Sequence, residues 1–332
     1  VVFGITNSIG NVNTDFYLIK TDENGNEEWA QTYGEEGGDW GYSIEQTTDN
    51  GYIMFGYGGG GLYLIKTDEN GNEQWSQYYG YNPGDAGEVQ QTSDGGYVIC
   101  GMSGKGAAII KIDAIGNEQW IQTFDLFYPL WNIDLANSVQ QTNDGGYIVC
   151  GMSYWYQDLQ FDSYDVSLVK TDENGNEEWS QIFGDYNFTG GCYDEAYSVR
   201  QTIDGGYIIC GLTNSFGNGG QDVYLIKTDE NGEEEWFQTY GGSGYDAGYS
   251  VEQKTDGGYV ICGVKTENEN KELYLIITDV NGNVSVEFDT HPPLSNKTLL
   301  HTIDILGRET NSKSFNIEIY DDGSVEKKYV IE

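Results

Sequence analysis

The sequence predicts an all-β protein: a β-propeller of six four-stranded blades, the first incomplete at the N-terminus, followed by a small C-terminal β segment. Two interleaved repeated phrases, and the absence of a helical apolar period, support this prediction. The phrase KTDENGNEEW at 20–29 recurs in five copies that end at Trp, with a sixth, eroded copy from Ile277. A second phrase, of the type YSVRQTIDGGYIICG, alternates with it every roughly 45 to 60 residues. No window shows the 3.6-residue apolar period of a helix.

Each repeat divides into four β-rich runs, here named strands a to d. In the fifth repeat these runs are AYSVRQT, GYIICGLT, DVYLIKTD and EEEWFQTYG. The linkers DGG (a to b) and ENG (c to d) predict tight hairpin turns, because Gly and Asn accept positive φ at little cost. Repeated four-stranded antiparallel units without helices are typical of a propeller. A blade buries its faces only against neighbours of the same kind, which explains why the phrases recur.

The repeats end near residue 288, so we expect a propeller over 1–288 and a separate β segment over 289–332. The first blade lacks strand a, because Val1 already lies in strand b. Either residues preceding Val1 or the tail stretch NKTLLHTIDIL would supply that strand. A start in mid-repeat without Met is typical of a processed or trimmed chain.

The charge excludes several classes of partner. With 54 acidic and 15 basic residues, the formal net charge is -39, which repels nucleic acid and anionic membranes and attracts cations. No apolar run approaches the roughly 18 residues of a membrane span. Both histidines, His291 and His301, lie in the tail. We therefore expect no His-dependent nucleophile or zinc site in the propeller, no enzymatic activity and no cofactor other than a bound calcium ion.

Four of the five cysteines occupy one repeat position, in strand b, where two other copies have Phe3 and Phe55. A position that accepts Phe or Cys is an apolar packing site. Equivalent positions of neighbouring repeats should also lie beyond the ~7 Å Cα limit of a disulfide. We therefore expect four buried free thiols: Cys100, Cys150, Cys210 and Cys262.

The spacing D-x-x-G-x-x-x-W-x-x-x-x-G, seen at Asp22, Gly25, Trp29 and Gly34, resembles the tryptophan-docking motif of propellers related to the quinoprotein alcohol dehydrogenases, one residue shorter before the last Gly. The resemblance implies that each Trp packs between blades, and it does not imply the quinone cofactor. The two-phrase repeat over 1–288 also resembles tandem repeats of secreted and surface proteins of Bacteroidetes and some archaea. The docking residues are Trp29, Trp75, Trp120, Trp179 and Trp236, of which Trp120 lacks the following Gly.

The tail resembles a short form of the C-terminal sorting domain of the type IX secretion system. This likeness implies export across an outer membrane, through that machinery, followed by release or surface attachment. The alternative is a β-hairpin that caps the propeller. The matching residues are Asp304, Leu306, Gly307, Arg308, Tyr320, Asp322, Gly323 and 325–328.

Two acidic patterns bear on calcium. DENGNE lacks the bidentate twelfth-position Glu and the helices of an EF-hand, so we interpret it as a type I′ turn with solvated carboxylates. A second set precedes strand a, which lines the channel of a propeller. These carboxylates would ring one channel mouth and recruit a cation, or each would accept backbone N–H bonds at its own strand start. The set is Asp39, Asp85, Asp134, Asp194 and Asp246.

Three long loops at the fourth blade and its borders are rich in aromatic residues. They lie on the face that carries the variable b–c and d–a loops, where binding usually occurs. The alternative is a small satellite core formed by the aromatics themselves. The candidate ligand-binding residues are Tyr128, Trp131, Tyr154, Trp155, Tyr156, Phe161, Tyr186, Phe188 and Tyr193.

Together these features predict a secreted or cell-surface propeller, without enzymatic activity, that binds a glycan or another surface protein. Two alternatives stay open. An extracellular polysaccharide hydrolase or lyase would need an acid pair in a cleft of the loop face. A structural subunit of a surface layer or filament would need a long apolar stripe outside the loops.

Overall fold

In a computed structural model, the chain is built from β-strands joined by turns and loops. The structure describes residues 1–9, 13–34, 37–80, 87–103, 106–124, 135–158, 161–185, 191–267, 270–288, 299–303, 316–320 and 325–328. Within these ranges there is no helix, and so none of the length and apolarity that a membrane crossing requires.

Six antiparallel sheets of consecutive strands follow one another along the chain, which confirms the predicted six-bladed β-propeller. Blade 1 has three strands, in the places of b, c and d, and blades 2 to 6 have four each. Blade 1 contains β1 (Val2–Thr6), β2 (Asp15–Thr21) and β3 (Glu27–Tyr33). Blade 2 contains β4 (Trp40–Gln46), β5 (Tyr52–Gly58), β6 (Gly61–Thr67) and β7 (Glu73–Tyr79). Blade 3 contains β8 (Val89–Gln91), β9 (Tyr97–Ser103), β10 (Gly106–Ile112) and β11 (Glu118–Phe124).

The later blades keep the same order of strands. Blade 4 contains β12 (Leu135–Gln141), β13 (Tyr147–Asp158), β14 (Phe161–Thr171) and β15 (Glu177–Phe183). Blade 5 contains β16 (Asp194–Gln201), β17 (Tyr207–Thr213), β18 (Asp222–Thr228) and β19 (Glu234–Tyr240). Blade 6 contains β20 (Ala247–Gln253), β21 (Tyr259–Glu267), β22 (Asn270–Thr278) and β23 (Val284–Phe288). The tail contains β24 (Leu299–Ile303), β25 (Asn316–Tyr320) and β26 (Val325–Lys328).

The faces of neighbouring blades pack together into apolar layers. Between blades 5 and 6, for example, Cys210 and Leu225 on one side meet Ile261 and Tyr274 on the other, and all four are buried. Strands b and c of an inner blade are covered on both faces. Their sequences are therefore continuous apolar runs rather than alternating ones.

Each docking Trp lies on strand d and packs against the next blade. Trp179 meets Tyr207 edge to face, with ring centroids 5.8 Å apart, and it also lies against Gly232 in the following c–d turn. Gly232 has a φ of +80°, and a β-carbon there would lie 2.5 Å from the Trp179 ring, so glycine is required on both counts. The same Trp–Tyr contact recurs at Trp29, Trp75, Trp120 and Trp236.

The c–d turns are type I turns followed by a left-handed glycine, so the predicted type I′ geometry is wrong. In blade 1 the Gly25 N–H donates to Asp22 O at 3.1 Å, and Gly25 has a φ of +83° whereas Asn24 has no positive φ. Type I′ needs positive φ at two successive residues. Asp22 Oδ1 accepts the N–H groups of Asn24 at 2.9 Å and Asn26 at 2.8 Å. This fixed role explains why the repeat keeps an Asp at that place.

Side chains of strand a join neighbouring blades through their main chains. Gln140 Oε1 of blade 4 accepts the Gln201 N–H of blade 5 at 2.6 Å, and Gln201 Oε1 accepts the Asn143 N–H at 2.9 Å. The same reciprocal pair links blades 3 and 4. Strands β4, β8, β12, β16 and β20 contact one another in this order and form the inner wall.

The last blade has an uncovered face. Leu273 is 47 % exposed there, whereas Val223 at the equivalent position of blade 5 is buried. Cys262 lies on this face and is exposed, so the prediction of a buried thiol is wrong for Cys262, although it is confirmed for the three equivalent cysteines. The reason is that only a following blade buries this position. The described tail strands form their own sheet in the order β24-β25-β26, and β24 does not pair with β1.

Candidate functional site

Two of the aromatic side chains predicted to bind a ligand are described, and both lie against a third tyrosine. Tyr154 and Tyr193 each pack on Tyr164, with ring centroids 5.0 Å apart in both pairs. The sequence-based set did not include Tyr164. Trp155, Tyr156 and Phe161 belong to β13 or β14, but their side chains are outside the described part. The remaining candidates, Tyr128, Trp131, Tyr186 and Phe188, lie outside the described residues.

Glu195, near the start of β16, is the polar centre of this surface. It is 6 % exposed, and the hydroxyls of Tyr193 and Tyr197 donate to its Oε2 at 3.2 and 2.9 Å. Asn137 Nδ2 of blade 4 donates to Oε1 at 3.0 Å. Burial raises the pKa of Tyr193 to about 12, and the Glu195 charge acts in the same direction, so this phenol remains a proton donor at neutral pH. The carboxylate is therefore held in one orientation by three donors.

Asn137 and Tyr197 reach this place because each is the extra residue of a β-bulge in strand a. Tyr249 is the corresponding bulge residue of blade 6. A bulge turns a side chain out of the normal strand alternation, and it is a recurrent feature next to functional sites. Asn137 Oδ1 is buried and accepts no hydrogen bond within the described part of the protein.

A band of tyrosines continues from Glu195 onto blade 6. The rings of Tyr197 and Tyr249 are 5.2 Å apart, and the Tyr249 hydroxyl lies 3.3 Å from that of Tyr245. Tyr249 is 48 % exposed, so the band is open to solvent. Sequence reasoning missed these residues because it considered only aromatic residues of the long loops: Glu195 ends one such loop but is not aromatic, and Tyr197, Tyr245 and Tyr249 lie outside the three loops.

Trp40 is a further aromatic residue that sequence reasoning missed. It is 43 % exposed and occupies, at the start of strand a in blade 2, the position that Glu195 has in blade 5. The sequence alone could have identified Trp40 as a candidate, because it lies outside the docking position of the repeat, as Trp131 and Trp155 do.

The predicted Asp set is placed in blade junctions as far as it is described. Each described member is buried beside a second Asp, which lies in strand c of the preceding blade, and both lie against the glycine that follows strand d. Burial raises the pKa of Asp165 to about 7, and the Asp194 and Asp185 carboxylates act in the same direction. Asp85 and Asp134 lie outside the described residues. The pairs are Asp15 with Asp39, Asp165 with Asp194, and Asp222 with Asp246.

Arg200 links several blades across the inner wall. Its guanidinium pairs with Glu88 of blade 3 at 3.2 Å and with Glu252 of blade 6 at 2.9 Å, and it donates to the Ser138 hydroxyl of blade 4 at 3.4 Å. Arginine cannot accept the hydrogen bond that Gln140 accepts in blade 4. Burial raises the pKa of Glu45, on the same wall, to about 7.

The two acidic arrangements differ in what they can do. Each member of the described Asp pairs is at most 3 % exposed, so a substrate cannot reach them. No three His, Cys, Asp or Glu side chains within the described ranges are grouped to hold a metal ion. The surface around Glu195 offers oriented acceptors beside exposed aromatic rings, which is an arrangement suited to recognition.

No family model matches the chain, and no curated protein sequence matches it. A protein of unknown function from Dyadobacter fermentans is similar in structure, with a TM-score of 0.51 and 12 % identity over 75 % of this chain and 81 % of that one. A protein of unknown function from Bacteroides caccae has a TM-score of 0.49 and 13 % identity, covering 86 % and 93 %. The endo-arabinase from Bacteroides thetaiotaomicron VPI-5482 has a TM-score of 0.44 and 12 % identity, over 72 % of this chain and 92 % of that one. The first likeness shows a shared fold, and none of the three assigns an activity.

Proposed function

We propose that the protein is a secreted or cell-surface propeller, without enzymatic activity, that binds a glycan through the loop face of blades 4 to 6. The observation that supports this proposal is the tyrosine band around Glu195. Tyr193 and Tyr197 donate to one carboxylate whose orientation is fixed. Further rings extend from these two: Tyr164 and then Tyr154 beside Tyr193, and Tyr249 beside Tyr197.

The chemistry of a sugar fits this surface. Aromatic faces stack on the apolar C–H face of a pyranose ring, and each such contact is worth about 1 kcal/mol. Three donors occupy Glu195, and since a carboxylate has about four acceptor positions, one is left for a sugar hydroxyl. Few rings and few hydrogen bonds give weak binding, so we expect dissociation constants between micromolar and millimolar. Another surface protein that presents glycans or donors would use the same groups.

Binding is favoured over polysaccharide hydrolysis by the state of the carboxylates. A hydrolase needs two carboxyl groups that face the substrate, roughly 5 to 9.5 Å apart. The described Asp pairs are buried in blade junctions, and three donors already engage Glu195. The secreted location rests on the likeness of the tail to a sorting domain and is part of the proposal.

A glycan array with the full chain tests the function. Tyr249→Ala is expected to lower binding about fivefold, since a lost stacking contact is worth about 1 kcal/mol. Trp131→Ala with Trp155→Ala, the platforms expected from the sequence, should abolish it. Ile203→Ala is the matched control, because Ile203 is an exposed apolar residue in the a–b turn of blade 5, on the face opposite the b–c and d–a loops. Equal losses in the control, or no glycan bound at all, would refute the proposal.

Glu195→Gln separates binding from catalysis. The amide keeps the shape and one acceptor oxygen, so a binding protein should lose only part of its affinity. A hydrolase that used Glu195 would lose its turnover of polysaccharide entirely. Release of reducing sugar by the unmodified protein, abolished in this variant, would favour the hydrolase.

A further inference from the structure

The junction of blades 4 and 5 contains a carboxylate oxygen without a partner. Asp165 is 3 % exposed, and its Oδ1 accepts no hydrogen bond within the described part of the chain. The same atom points at Gly184, where it would collide with any β-carbon, and Asp194 Oδ2 lies 3.1 Å from that position. Oxygens from two buried carboxylates thus converge on one side of Gly184.

The surroundings supply further oxygen atoms. Asp194 accepts hydrogen bonds from Thr213 Oγ1 at 2.5 Å and Ser215 Oγ at 2.6 Å, which fixes its carboxylate. Within the described ranges, neither Asp165 nor Asp194 forms an ion pair with a basic residue. Two buried like charges without a cation are unfavourable, because neither water nor an opposite charge compensates them.

We propose that this junction binds one Ca²⁺ ion between Asp165 and Asp194. Calcium takes six to eight oxygen ligands in flexible geometry, so two carboxylates can be completed by hydroxyl or main-chain oxygens and by water. Magnesium demands a near-ideal octahedron of shorter bonds and gives up its water reluctantly. Zinc prefers nitrogen and sulfur ligands. The ion would join β14 of blade 4 to β16 of blade 5.

The neighbouring junction provides an internal contrast. At the junction of blades 5 and 6, Asp246 accepts the Gly242 N–H at 2.7 Å and the Thr266 N–H at 2.9 Å, one on each oxygen. Asp222 Oδ2 accepts the Asn218 N–H at 2.6 Å. Main-chain donors therefore already compensate this pair. The inference is limited to Asp165 and Asp194 for this reason.

The chelator-treated full chain is titrated with CaCl2 or MgCl2 at constant ionic strength. Calorimetry measures the heat of binding, and thermal unfolding is measured at each salt concentration. We expect one Ca²⁺ per chain and a rise in unfolding temperature of about 2 °C or more at saturation, with a smaller rise in MgCl2. Asp165→Asn should lose both effects. Without calcium, the same variant should unfold at a higher temperature than the unmodified chain, because a buried charge has been removed.

Asp222→Asn is the matched control, since it removes the equivalent carboxylate one junction away, and it should retain the calcium response. Equal effects of calcium and magnesium would indicate screening only and would overturn the proposal, as would an unchanged response in Asp165→Asn. If Asp165→Asn fails to fold, Ser215→Ala, which removes a donor to Asp194, should weaken calcium binding severalfold. An unaltered affinity in Ser215→Ala would then count against the site.

Discussion

At the scale of single residues, one hydroxyl on strand d connects each of three blades to the next. Tyr79 Oη donates to the Gly116 carbonyl at 2.6 Å, and Tyr33 and Tyr240 make the same bond at their junctions. We expect Tyr79→Phe to destabilise the fold by about 1 kcal/mol, because a buried carbonyl loses its donor. Urea unfolding measures this as a lower midpoint at unchanged slope. Tyr57→Phe, at a half-buried tyrosine of blade 2, should be neutral, and a similar loss there would contradict the interpretation.

Roles that depend on position in the repeat were predictable from the sequence. The docking position of Trp29 and its equivalents could be identified because five copies share it. Glu195 could not be identified as a centre, because its environment is built by Asn137 from another blade and by the bulge at Tyr197. Such contacts join residues about sixty positions apart, and no local pattern records them.

At the scale of elements, the c–d turn offers a direct test of Trp docking. Gly232 and Gly25 occupy the same turn with nearly equal φ, +80° and +83°, but Trp179 contacts Gly232 whereas nothing lies within 4 Å of Gly25. Alanine at either site incurs a left-handed backbone cost of about 1 kcal/mol. Gly232→Ala should cost about 1 to 3 kcal/mol more, because its methyl group overlaps the Trp179 ring. Equal losses of stability in urea for the two variants would show that the Trp yields to the methyl group and contributes little to docking.

Strands b and c were the most predictable elements, since both faces of an inner blade are covered and the apolar run is continuous. Strand a was less so. In blade 3 it shortens to Val89–Gln91, where the sequence DAGEVQQ has one residue fewer than the other copies. The turn type was mispredicted because ENG fits both a type I′ turn and a type I turn with a left-handed Gly. The additional residue that separates them is visible only in the pairing of the strands.

At the scale of the whole molecule, the number of blades could be predicted from the number of repeats, whereas the exposure of the outer face of blade 6 could not. Blade 6 has Val286 where five other blades have the docking Trp, and its outer face exposes Cys262 and Leu273. The sequence could not reveal this, because Cys262 stands in the same local phrase as three buried cysteines. Burial at that position is a property of the next blade.

The acidic character of the molecule predicts how its stability depends on pH. Burial raises the pKa of Glu45 from 4.5 to about 7, so the folded state keeps a proton that the unfolded chain releases. Its contribution to stability is complete below about pH 4.5 and is lost as the pH rises through 7. Hydrogen bonds from Thr47 and Lys66 lower the pKa of Asp49 to about 2, so its contribution is lost as the pH falls from about 4 toward 2. Repulsion among charges that sum to -39 adds to the loss at high pH.

We therefore expect the unfolding temperature to be highest near pH 4 to 5, in contrast to the usual maximum of roughly pH 5 to 8. Thermal unfolding followed by circular dichroism, with a chelator, dilute protein and constant ionic strength, measures it. Glu45→Gln should flatten the decline between about pH 4.5 and 7. High salt should flatten only the part of the decline that comes from repulsion among exposed charges, because salt screens exposed charges far more than buried ones. Glu173→Gln removes an exposed charge and should follow the unmodified protein at every pH. A maximum at pH 7 or above, or parallel curves for Glu45→Gln and the unmodified chain, would show that Glu45 is not the group that titrates.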